Sequence, residues 1–160
     1  VLIGEMRDYG TIEAVLTIAE TGHLVFATLH TNSASQSVDR IVGVFPENQQ
    51  AQIQMQLSNV VEAIVSQRLI PATKGGRYPA TETMLATGAI RNVIREGKTH
   101  LLDNIIQTST GVGMNTMESS LAGMVKEGLV SLEVALTYSL KPDDLLREVK
   151  RTGGSVSPKE

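Results

Sequence analysis

Apolar and polar positions along the chain change period several times, and each change predicts an element. Val1, Leu2 and Ile3 form a β-type apolar run that leads into the polar segment Glu5-Met6-Arg7-Asp8. Ile12, Val15, Leu16 and Ala19 then recur at helical spacing, with Glu13, Thr17 and Glu20 on the other side and Thr21-Gly22 as the stop. Between His23 and His30 the positions Leu24, Val25, Phe26, Ala27 and Leu29 are almost continuously apolar, which predicts a strand buried on both faces of a parallel sheet. Strand, helix and strand in that order predict one right-handed crossover unit.

Asn32 or Ser33 is placed to cap a short helix with Val38, Ile41 and Val42 inward, ended by Gly43 and Pro46. A longer helix is predicted next, with Ile53, Leu57, Val60, Val61 and Ile64 in register and Gln49, Gln50, Gln52 and Gln54 near its start. Residues 65–71 and 78–85 read as an antiparallel strand pair joined by Thr73-Lys74-Gly75-Gly76. Beyond Thr87 the pattern becomes short helices at 89–96, 100–108, 117–127, 132–140 and 142–150. Thr87, Thr99, Thr116 and Ser131 are candidate N-caps, and Gly97 and Gly128 candidate stops. Pro142 suits a first turn, with Asp143 and Asp144 at that end and Lys150 and Arg151 at the other, the charge order a helix dipole favours. The expected organisation is an α/β layer with an incomplete parallel sheet at 1–86, a helical region at 87–151, and a disordered tail at 152–160.

Composition narrows the function. The apolar share of 41% supports a folded body, and a net charge of −3 supplies no overall basic field for nucleic acid. The absence of cysteine rules out a disulfide framework and every thiolate zinc site, and fits a reducing compartment such as the cytosol. No apolar run approaches the roughly 18 residues of a spanning helix, so membrane association is expected to be peripheral. The opening on a β-type run without an initiator Met reads as a chain cut inside a strand.

Two segments carry candidate chemistry. The first strand delivers Glu5 to its C-terminal edge, where open parallel sheets bind ligands, and Gly4 permits close approach to the backbone. A carboxylate there can polarise a water for attack on a phosphoryl group. Taken alone, Glu5 and Asp8 are also accounted for as acids favouring the positive end of the next helix. The second strand ends in His30-Thr31-Asn32 at the same edge, where an imidazole can hydrogen-bond a phosphate, although a lone His there is also met as a structural hydrogen bond. His23 falls at the opposite edge, and His100 at a helix start reads as structural or exposed.

Together these segments say more. Ile3-Gly4-Glu5-Met6-Arg7-Asp8, Thr11-Ile12-Glu13-Ala14, Ala19-Glu20-Thr21-Gly22-His23-Leu24-Val25 and Thr28-Leu29-His30-Thr31-Asn32 resemble the secretion and pilus motor ATPases, as do Asp39-Arg40-Ile41, Phe45-Pro46 and Gln67-Arg68-Leu69. The resemblance implies the second half of a RecA-like ATPase core, with the first segment as Walker B motif and the last as histidine box. By the same resemblance Glu5 orients or deprotonates the attacking water and His30 senses the γ-phosphate. Arg7 and Asp8 complete the Walker B signature, and His23 also matches a family position.

Ala89-Ile90-Arg91-Asn92-Val93-Ile94-Arg95-Glu96-Gly97-Lys98 resembles the signature of the family's pilus-retraction branch, and the extension and export members often carry a four-cysteine zinc insertion that is missing here. Ordinary helix packing with a solvated basic edge would also explain that amphipathic segment. The family implies ATP and Mg²⁺ as cofactors, a homo-oligomer assembled as a hexameric ring, an inner-membrane platform as partner and a cytoplasmic, peripheral location. It also implies a phosphate-binding loop, which is expected upstream of Val1 together with a nearby acidic segment and an arginine-supplying domain. Gly97-Lys98-Thr99 ends like such a loop, but Asn92 occupies its first glycine position and an amphipathic helix precedes it. Without the loop the chain is expected not to hydrolyse ATP by itself. The alternatives are a pilus-extension or export motor, and a non-catalytic module that docks on the membrane platform.

Overall fold

A computed structural model describes residues 1–153. From position 154 onward the expected disordered tail lies outside the described residues. The order is β1 (Leu2–Ile3), α1 (Tyr9–Glu20), β2 (Phe26–Ala27), α2 (Ala34–Gly43), α3 (Glu47–Val60), β3 (Ala63–Pro71), β4 (Arg77–Leu85), α4 (Gly88–Arg95), α5 (Leu102–Thr108), α6 (Met117–Lys126), α7 (Leu132–Tyr138) and α8 (Pro142–Arg151). Short 3₁₀ turns at Thr99–Leu101 and Thr110–Val112 flank α5.

The strands form two separate pairs. β1 lies parallel to β2 with Leu2 opposite Phe26 and Ile3 opposite Ala27, and α1 makes the crossover between them. β3 and β4 form an antiparallel hairpin that runs from Ala63 opposite Leu85 to Pro71 opposite Arg77. Its tip turns on Gly75 and Gly76, both at positive φ, a conformation glycine reaches without a Cβ clash.

Two apolar clusters hold these elements. The first joins Ile12 and Leu16 of α1, Val38 and Ile41 of α2, Ile53 and Leu57 of α3, and Met84 of β4 to Ile90 and Ile94 of α4 and Ile106 of α5. The second joins Ile70 and Ala80 of the hairpin to Met117, Leu121, Ala135, Leu145 and Val149 of the last three helices. The hairpin therefore contributes to both. Polar ties reinforce this: Arg68 donates to the Tyr138 carbonyl at 2.6 Å, and the Thr81 N–H donates to Ser120 Oγ at 3.1 Å.

The expected caps at Ser33, Thr87, Thr116 and Ser131 are present, each side chain accepting a first-turn N–H of its helix. Gly97 and Gly128 adopt positive φ just beyond α4 and α6. Thr99 is not a cap. It lies in a 3₁₀ turn, and its hydroxyl donates instead to Asp39 at 2.7 Å.

Two further expectations change. The helical face through Ile53 and Leu57 stops at Val60, because Val61 turns extended and Ile64 pairs with Met84 in the hairpin. Val60, Val61, Ile64 and Val65 are β-branched, which favours the pleated conformation, and Ile64 still reaches the first cluster from its strand. The strand expected over residues 23–30 shrinks to Phe26–Ala27, and its outward side chains are open, with Leu24 64% and Phe26 62% exposed. A run apolar on both faces needs a layer on each side, and among the described residues only one face of this strand is covered.

Candidate active site

The two parallel strands deliver Glu5 and His30 to one place. Beyond the pairing of β1 with β2 the chains stay together, as the Met6 N–H donates to the Thr28 carbonyl at 2.9 Å and the Thr28 hydroxyl bonds the Gly4 carbonyl. Residues 5 and 30 thus leave the same edge side by side. Glu5 Oε1 lies 2.6 Å from His30 Nε2 and 2.5 Å from Arg7 Nε. Oε1 has no hydrogen bond of standard geometry, and the charge of the Arg7 guanidinium attracts it. Oε1 itself is shielded from solvent, and the 26% exposure of the Glu5 side chain belongs to its other atoms.

The Arg7 guanidinium holds the Glu5 carboxyl below its ordinary range; burial pushes it the other way, and His30 adds to the lowering. Glu5 in turn raises Arg7. A group whose folded-state pKa is depressed contributes stability above its unfolded pKa and loses it as pH falls through the folded value. Carbon-13 titration of the Glu5 carboxyl is therefore expected to show a midpoint below that of an ordinary glutamate, moving up on Arg7→Ala. An unmoved midpoint in that variant would overturn the assignment of the cause.

Asp8 is turned away from this cluster. It caps α1, its Oδ1 accepting from the Thr11 N–H at 3.0 Å and its Oδ2 from the Thr11 hydroxyl at 2.8 Å. Those bonds from Thr11 lower its pKa. His23 sits at the far end of β2, its Nδ1 2.9 Å from the Thr21 hydroxyl, and does not join Glu5. His100 is exposed.

Gly97-Lys98-Thr99 is no phosphate cradle. It follows α4 rather than a strand, Lys98 pairs with Glu96 at 2.8 Å, and a Cβ at Gly97 would meet Gln54 Nε2 at 2.8 Å.

In α4, Ile90, Val93 and Ile94 are buried, while Ala89 and Asn92 are exposed. Arg91 is not on a solvated edge. Its guanidinium donates to the carbonyls of Ser58 at 2.9 Å, Asn59 at 3.0 Å and Ala86 at 3.1 Å, and pairs with Glu62 at 3.0 Å. It closes the C-terminal end of α3, where carbonyls lack helical partners.

The type II/IV secretion system protein family matches residues 1–75. The type IV pilus retraction ATPase PilT of Pseudomonas aeruginosa is 46% identical over 144 residues, covering 90% of this chain and 42% of that protein. The chain belongs to the type II/IV secretion ATPase family. The twitching motility protein of Neisseria gonorrhoeae is also 46% identical, over 84% of this chain and 36% of its own length. A crystal structure of the pilus retraction motor PilT with bound ADP superposes at a TM-score of 0.83 with 45% identity, covering 91% of this chain and 41% of that one. The fold is therefore that of the C-terminal part of a pilus-motor ATPase core. The chain spans less than half the length of each of these relatives.

The sequence reading missed two residues that matter to the site's framework. Glu62 completes the Arg91 clamp. Glu82 is 6% exposed and accepts the Ala34 N–H, the first N–H of α2. The signal for Glu82 was available: an acid between Ala80 and Met84 at the inward period of a strand.

Proposed function

We propose that this chain is the catalytic-glutamate part of an ATP-hydrolysing motor that retracts type IV pili and drives twitching motility. The reading is carried by the Glu5–His30 contact at the shared edge of β1 and β2, in a chain related to pilus-retraction ATPases at 46% identity. Residues 1–86 belong to the ATPase core, and 87–151 form the helical region that packs on it. The rest of a full-length protein supplies the phosphate-binding loop, and copies assemble into a hexameric ring on the cytoplasmic side of an inner-membrane platform. Docking on that platform is peripheral in this reading; no helix among the described residues is long and apolar enough to cross a membrane.

Bound ATP with Mg²⁺ supplies the phosphoryl group and neutralises its charge. No group of three or more carboxylate or histidine side chains among the described residues could hold a metal by itself, and Mg²⁺ would be held largely by the nucleotide phosphates. Glu5 orients a water and accepts its proton on the carboxylate. For that, the carboxylate must loosen from Arg7, whose charge makes it a weak base at rest. His30, bound to the same carboxylate, moves with it and is placed to report what occupies the edge.

The purified chain, given Mg²⁺-ATP, is expected to release no phosphate above background, because positioning and charge neutralisation by a phosphate loop supply most of the catalysis. Turnover at the rate of full-length pilus motors would sink this reading. In the organism, deletion is expected to leave pili present but unable to retract. Loss of the pili themselves would assign the chain to extension instead.

A further inference from the structure

A second set of carboxylates lies where β4 meets α2 and the last helices. Glu82 Oε1 accepts the Ala34 N–H at 2.8 Å. First-turn N–H groups have no partner within their own helix, so this bond ties the start of α2 to a strand 48 residues further along the chain. His30 lies four residues before Ala34, and the stretch between them is fastened to α2. The Asn32 N–H donates to Gln36 Oε1 at 3.1 Å, and the hydroxyls of Thr31 and Ser37 lie 2.6 Å apart. Ser33 caps the helix by accepting the Gln36 N–H at 3.2 Å. The start of α2 and the segment that follows His30 are therefore fastened to each other.

On its other side Glu82 faces a polar cavity of about 260 Å³, with Asp103 of α5, Glu118 of α6, and Lys141, Asp144 and Glu148 at α8. The buried carboxylates are already partnered. Glu118 accepts from the Ser139 hydroxyl and the Lys141 N–H, and Lys141 Nζ reaches Asp103 at 2.5 Å. The cavity thus offers no unpaired acid to a ligand; it is a junction at which three C-terminal elements surround the residue holding α2. Burial pushes the Glu82 carboxyl up and the Ala34 N–H of α2 opposes it; Asp103 and Glu118 add to the rise, and the Met117 N–H at the start of α6 lowers it.

We propose that Glu82 is a positioning residue for His30: it clamps the start of α2 so that the imidazole stays on Glu5, and it makes that contact answer to the C-terminal helices. The proposal rests on the reading of Glu5 and His30 as one site.

The test uses the full chain, labelled for ring and amide nitrogen signals. Glu5→Gln shifts the His30 ring signals, since Nε2 touches the altered group. In a Glu82→Met background, which fills the same volume without an acceptor, that shift is expected to fall by about two-fold or more, as for coupled neighbours in a mutant cycle. A Glu82→Gln background, which keeps an acceptor oxygen, is expected to restore it. An undiminished shift in folded Glu82→Met overturns the proposal. Should Glu82→Met not fold, the unaltered chain decides: Ala34 N–H exchange as slow as in the interior of α2 supports the clamp, and exchange at the rate of an unpartnered first-turn amide overturns it. Failure of the functional reading is separate, since unchanged ATP turnover in a full-length Glu5→Gln protein would leave the His30 shifts as they are.

Discussion

Replacing Glu5 by Gln in the full-length protein is expected to lower ATP turnover by about 100- to 10,000-fold, the usual contribution of a positioned general base. The substitution keeps the volume and one acceptor oxygen, so nucleotide binding is expected to hold. What is lost is a group that can take a proton. The resting state sharpens the expectation. Arg7 lowers the Glu5 carboxyl, and Oε1 is enclosed between Arg7 and His30, so at rest the carboxylate is ionised but a weak base. Steady-state phosphate release, with nucleotide affinity measured separately, checks the claim. Turnover within a few-fold of the unaltered protein would remove Glu5 from the chemistry.

Arg91→Ala is expected to cost about 2–3 kcal/mol of stability, the scale of losing charge-assisted hydrogen bonds to partly buried acceptors. For a chain of this size that is roughly 5–10 °C in melting temperature. The reason is geometric. One guanidinium reaches the Ser58, Asn59 and Ala86 carbonyls while pairing with Glu62, so the α3 end, the entry to the hairpin and α4 all depend on it. Arg91→Lys is expected to recover only part of the loss, because an ammonium cannot spread over that fork of acceptors. Thermal unfolding followed by circular dichroism measures both. A retraction defect in Arg91→Ala with an unchanged melting temperature would contradict this structural account and point to a surface role for the motif.

The two residues differ in how far the sequence could take them. Glu5 and His30 were readable because each ends an apolar strand run, and parallel strands joined by one helix must put their C-terminal ends on the same side. Arg91 was readable only as part of a motif. Apart from Ala86, its partners lie 29 to 33 positions away at Ser58, Asn59 and Glu62, and no local period marks a helix's last carbonyls as acceptors. Asp8 shows the reverse: the resemblance grouped it with Glu5, while its atoms cap α1, as an acid before a helix commonly does.

Local pattern determined most of the elements, the caps at Ser33, Thr87, Thr116 and Ser131, the antiparallel hairpin, and the common edge of Glu5 and His30. These depend on interactions within a few residues or on a fixed handedness. Only the tertiary structure decided where α3 gives way to β3, how much of the 23–30 run remains strand, and which distant acceptors claim Arg91 and Glu82. Periods of 3.6 and 2 can agree over a short stretch such as Val60 to Ile64, and an apolar run does not say which of its faces will be covered. Burial is a property of what arrives from elsewhere in the chain.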